Sequence, residues 1–106
     1  MPEHVSLADQ DLLTELHHLR RAMRTRSAID LARGILMASF GLSPEAAWMV
    51  LVTTSQHCNI KVHRLARGLI DTVTGTPLAG AVQEQLAAAV AQAHAADPAA
   101  REHPPR

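Results

Sequence analysis

From Glu3 to Arg33 the chain contains neither proline nor glycine. Those two residues are the ones that most disfavour a helix interior. In a chain of 106 residues, so long a stretch without a breaker points to a fold dominated by one long helix. Ser6 is placed to cap it, and Asp9 lies near its start, where the backbone dipole favours an anion. The helix is expected over about residues 7–39, with Phe40-Gly41 as its end. The apolar spacing inside it is split. Leu12, Leu16, Leu19 and Met23 follow the 4-3-4 spacing of a coiled-coil seam, and the next seam position falls on Arg26. A second stripe, Ile29, Ala32 and Leu36 with Ile35 alongside, continues on a shifted face. One helix is therefore expected to do two jobs. Its first half pairs with another helix, and its second half enters a core; the alternative is one amphipathic helix lying on its own domain.

Further start and stop signals follow. Ser43-Pro44-Glu45 combines an N-cap, a first-turn proline and a first-turn acid. A second helix is expected over about residues 44–56. It is apolar on every face from Ala46 to Val52, with Trp48 as the expected core anchor. Asn59 is placed to cap a third helix over about residues 60–74, closed by Gly75. Its expected buried face is Val62, Leu65, Ala66, Leu69, Ile70 and Val73. Thr76-Pro77 would open a fourth helix, with a stripe of Leu78, Val82, Leu86, Ala89, Val90 and Ala93. Residues 97–106 are expected to form a disordered tail.

Composition agrees with an all-α chain. Aromatic residues make up 2%, one Trp and one Phe with no Tyr, too few for typical strands. Apolar residues reach 47%, enough for a core. The acidic N-terminus lacks the basic-then-apolar pattern of an export signal, and the longest hydrophobic run, Ala46–Val52, is far short of a membrane span. A cytoplasmic protein with no membrane partner is expected. Formal net charge is zero, yet residues 16–75 hold eight basic against three acidic side chains. That segment favours anionic partners.

Enzymatic and metal chemistry are weakly signalled. No phosphate-cradling glycine motif is present, and Asp30 and Glu45 lie on different helices. The single Cys58, between His57 and nearby His63, falls short of a zinc ligand set and is better read as a small apolar residue at a turn. No catalytic residue, metal, cofactor or small-molecule substrate is expected. The second and third helices resemble a helix-turn-helix in outline, with Lys61, His63, Arg64 and Arg67 suited to phosphate contacts.

One stretch is more specific. Arg26-Ser27-Ala28-Ile29-Asp30-Leu31-Ala32-Arg33-Gly34-Ile35-Leu36-Met37 resembles the opening of the ANTAR domain, the RNA-binding module of transcription antitermination regulators. The resemblance runs on through Gly41-Leu42-Ser43-Pro44-Glu45-Ala46-Ala47-Trp48 and then Leu51, Ser55, Asn59, Lys61, Ala66 and Ile70, in register, over about residues 20–73. It implies a three-helix bundle, often extended by a dimerising N-terminal coiled coil. The expected organisation is a helical extension over residues 1–19, an ANTAR-like RNA-binding domain over 20–75 and an extra C-terminal helix over 76–96. That last helix would either cover the bundle or extend a dimer.

The resemblance also implies a function: binding paired stem-loops in nascent transcripts so that a terminator does not form. Arg26, Arg33, Gly34, Ser55, Asn59, Lys61 and Arg64 are the expected RNA-binding residues, with Arg33 and Lys61 on one exposed face. Leu12, Leu16, Leu19 and Met23 are the expected homodimer contacts. About twenty residues precede the match, too few for a sensor, so input is expected from a separate partner protein, from expression level, or not at all. The family commonly carries an arginine where Val52 stands, and a lysine where Arg33 stands. Two other functions stay open: a protein-interaction adaptor with the same bundle but without RNA affinity, and a DNA-binding helix-turn-helix regulator.

Overall fold

The computed structural model describes residues 7–96, and for Leu7 the backbone alone. Four helices fill this range: α1 (Leu7–Phe40), α2 (Pro44–Cys58), α3 (Val62–Val73) and α4 (Gly80–Ala96). No strand occurs among the described residues. The expected tail at 97–106 lies outside them.

α1 is continuous over 34 residues, about 50 Å at 1.5 Å per residue. Its two halves live in different surroundings. From Ala8 to Arg24 every side chain is exposed, and the first buried residue is Ala28. From there Ala32 and Leu36 are fully buried, with Ile29 and Met37 packed beside them. The seam residues Leu12, Leu16, Leu19 and Met23 are 68, 42, 54 and 68% exposed. That is a large apolar stripe for a single chain to leave in water.

The α1–α2 corner is built by local chemistry. Gly41 takes φ +66°, a left-handed conformation that closes α1, and its N–H reaches the Met37 carbonyl at 2.9 Å. Ser43 is extended and its hydroxyl accepts the Ala46 N–H at 3.1 Å, with Pro44 in the first turn. Leu42, between these caps, is buried. α2 then runs through the centre. Ala47, Val50, Leu51 and Thr54 form its inner stripe, at the spacing of one helix face.

Trp48 does not anchor the core as the sequence suggested. It sits one residue after Ala47, rotated about 100° from the buried stripe, and is 39% exposed. α3 packs mainly on α1, and α4 packs on α2. Leu65, Ala66 and Leu69 of α3 and Leu86, Ala89 and Val90 of α4 belong to one core with Leu36 and Leu51. α4 therefore covers the bundle. Val73, expected inside, is 69% exposed because α3 ends there and Gly75 turns the chain away at φ +102°.

Two helix starts differ from the sequence expectation. Asn59 does not begin α3. It lies at φ 55°, ψ 44° as the left-handed C-cap of α2, and its N–H bonds the Ser55 carbonyl. Asparagine is one of the few residues that adopt this conformation readily. Lys61 occupies the N-cap position of α3 without a side-chain cap. Thr76-Pro77 is likewise not a helix start, and α4 begins at Gly80. The intervening chain lays Leu78 against α3, where one of its methyls is 2.9 Å from the place a Cβ on Gly68 would occupy.

Candidate nucleic-acid interface

The packing of α3 on α1 brings together cations that are distant in sequence. Arg21, Arg24 and Thr25 of α1 face Lys61, His63 and Arg67 across a cleft of about 600 Å³. No carboxylate lines it. Four permanent positive charges at one site repel each other in the absence of an anion, so the cleft favours a polyanion. Lys61, at the N-cap of α3, and Arg67, six residues on, both line it from the α3 side.

Arg21 and Arg24 are the contributions that sequence reasoning missed as site residues. The available signal was their three-residue spacing. It places them on neighbouring positions of one helix face, a face turned away from the Leu12–Met23 stripe.

The expected site residues are distributed more widely than one face. Lys61 lines the cation cleft, whereas Arg33 lines a second, adjoining cleft that shares Arg21 and Thr25 with the first. Arg33 and Lys61 thus line neighbouring clefts, and neither cleft holds both. Arg33 is partly buried, donates to the Pro44 carbonyl at 3.2 Å and lies 3.8 Å from Asp30. Arg26 lies 3.9 Å from the same Asp30 carboxylate. Both pairs are exposed on at least one side and are weak restraints. Ser55 is turned inward, where its hydroxyl donates to the Ile60 carbonyl and holds the α2–α3 turn. Asn59 is exposed at the tip of that turn, and Arg64 and Gly34 are exposed on their helices. Val52 is half-buried, so the apolar residue there is in keeping with its surroundings.

The second cleft, about 940 Å³, lies between α1 and α2. Ile29, Trp48 and Met49 form its apolar floor, and Arg21, Arg26 and Arg33 stand around it with Asp30 and Glu45. Arg21 and Thr25 border both clefts. Among the described residues no group of three His, Cys, Asp or Glu side chains could hold a metal ion. No single helix among them is long and apolar enough to cross a membrane.

Comparison with curated proteins and with solved structures gives no match. A family model does match, the ANTAR domain, over residues 17–70. That span takes in the lower part of α1, all of α2 and most of α3, including every residue of the cation cleft. The chain belongs to the ANTAR domain family, a regulatory family of RNA-binding antitermination proteins.

Proposed function

We propose that this chain binds paired stem-loops in nascent transcripts and promotes read-through of terminators, acting as a regulator and not as a catalyst. The cation cleft of Arg21, Arg24, Lys61, His63 and Arg67 is the observation that carries this. It lies wholly inside the family match. Phosphate contacts of this kind set position and salt dependence. Arg26, Arg33, Gly34, Asn59 and Arg64 would extend the interface, with Ser55 holding the turn that presents Asn59.

A homodimer is part of the same proposal. The exposed stripe of Leu12, Leu16, Leu19 and Met23 would pair with a second copy. Two joined chains would present two cation clefts, and gripping both hairpins of one transcript raises avidity without new contacts. A cytoplasmic location and input from a separate sensor protein complete the proposal.

The test is a hairpin-pair titration at two salt concentrations, by fluorescence anisotropy, followed by a read-through assay. Wild-type protein should bind with steep salt dependence. Arg33→Ala/Lys61→Ala should bind more weakly while keeping its helical circular dichroism. Each cation lost from a phosphate contact should lower the salt slope by about 0.7–1. In sedimentation, wild type should be dimeric and Leu16→Asp monomeric. Unchanged affinity in the double variant would remove Arg33 and Lys61 from the interface.

The exposed apolar stripe also supports the adaptor alternative. A chain that ignores hairpins but retains a partner protein through Leu16 would favour it. Preference for duplex DNA would favour the helix-turn-helix alternative.

A further inference from the structure

The cleft between α1 and α2 has a composition unlike the cation cleft beside it. Its floor holds the only tryptophan of the chain, 39% exposed, next to Met49, which is 56% exposed. Three arginines surround this floor, but so do two carboxylates, Asp30 and Glu45. Three positive and two negative charges make a poor site for a bare phosphate. They suit a group that is flat, apolar on its faces and polar at its edge.

From this we infer that the Trp48 cleft receives an unstacked base of a single-stranded RNA loop. The inference rests on the RNA-binding function proposed above and assigns a second subsite to it. Bases splayed out of loops are held by stacking on aromatic rings or guanidinium planes, with hydrogen bonds to their edges. Trp48 supplies the ring, and Arg26 or Arg33 can supply the opposing plane. The Asp30 and Glu45 carboxylates accept hydrogen bonds only. They therefore favour bases that carry an exocyclic amino group with its two hydrogens, adenine, cytosine or guanine, over uracil, whose one base donor is the N3 imino hydrogen.

Continuity with the cation cleft supports a nucleotide chain as the occupant. Arg21 and Thr25 border both clefts, within about one helical turn of each other. A backbone lying on Arg24, Lys61 and Arg67 passes Arg21 before its next base reaches Trp48. The Ser43 cap fixes the first turn of α2, and this sets the backbone from which Glu45 projects at the edge of the cleft.

The chain has one Trp and no Tyr, so its intrinsic emission reports on this cleft alone. Three labelled RNAs serve as probes: a 12-mer oligoadenylate, a 12-mer oligouridylate and a loop-free duplex of similar length. Binding is followed by anisotropy and contact by Trp48 emission. Oligoadenylate should bind and quench the emission. The duplex should bind through the cation cleft and leave the emission unchanged. Oligouridylate should bind more weakly than oligoadenylate. Trp48→Leu, which keeps an apolar residue on the α2 face, should lose about tenfold in oligoadenylate affinity and little in duplex affinity. Trp48→Phe should keep most of the preference.

Oligoadenylate bound with unchanged emission would overturn the base subsite and leave the RNA-binding function standing. Absence of binding to all three RNAs and to a hairpin pair would overturn both. Emission that shifts with protein concentration alone, together with dimer formation and no response to RNA, would assign the cleft to a second copy of the chain and overturn the base subsite.

Discussion

His94, in the last turn of α4, lies with its Nε2 2.7 Å from the carbonyl oxygen of Phe40, the last residue of α1. A carbonyl can only accept, so Nε2 carries the proton. The contact joins residues 54 positions apart and ties the end of the fourth helix to the end of the first. It also satisfies one of the carbonyls that a helix C-terminus leaves without an internal partner.

His94→Ala should therefore destabilise the chain by about 1 kcal/mol. For a domain of this size that corresponds to a fall in Tm of about 4–8 °C. Thermal melting followed by circular dichroism is the check. The residue lies far from both clefts in sequence and borders neither, so hairpin affinity below the melting range should not change.

Thr54 should behave in the opposite way. It is fully buried on the inner stripe of α2, and its hydroxyl has no hydrogen-bond partner. A buried polar group left unpaired costs about 1–3 kcal/mol. Thr54→Val keeps the branched shape and removes the hydroxyl, so urea unfolding should show a gain of about 1 kcal/mol. A loss of stability would mean that the hydroxyl is paired in solution.

Asn59 separates conformation from recognition. Its left-handed backbone is needed at the α2–α3 turn, and its amide is exposed. Asn59→Gly keeps the turn and removes the amide, so stability should hold while hairpin affinity falls. Asn59→Val should lose about 1–2 kcal/mol, since a β-branched residue is strained there. Equal hairpin binding by Asn59→Gly and wild type would confine Asn59 to its cap role.

Gly34 offers a similar separation inside α1. A Cβ added there would meet nothing within 4 Å. Gly34→Ala should raise stability by about 0.5–1 kcal/mol through helix propensity alone. If RNA passes close to the α1 backbone at this point, as proposed, the same variant should bind hairpins less well. A stabilised protein with unchanged affinity would take Gly34 out of the interface.

Much of the fold was legible in the sequence because its boundaries rest on local chemistry. Gly41, Ser43-Pro44 and Gly75 act through their own backbone preferences, which no neighbour has to supply. The two halves of α1 could also be told apart, since the shift from the Leu12–Met23 stripe to Ala32 and Leu36 is a change of helical phase. The misplaced features depend on tertiary context. Asn59 can cap either of two adjoining helices, and only the path of the turn decides between them. Thr76-Pro77 has the form of a helix start, but Leu78 is drawn onto α3 beside Gly68 before α4 begins. Trp48 lies in a run that is apolar on every face, where composition gives no phase. The cation cleft needed α3 to be docked on α1, so Arg21 and Arg24 could not be matched with Lys61 and Arg67 from spacing alone.

The uninterrupted course of α1 has a geometric consequence. Its exposed stripe and both clefts are mounted on one rod that has no joint. In two chains joined along the stripe, the azimuth of each cleft would be set by residue count, at about 100° per residue. One alanine inserted after Met23 would leave each buried core, which begins at Ala28, intact, yet turn it by that angle relative to its partner and part Arg21 from Arg24. Which way the two clefts look, toward one transcript or apart, is then written in the length of a helix and in no contact at all.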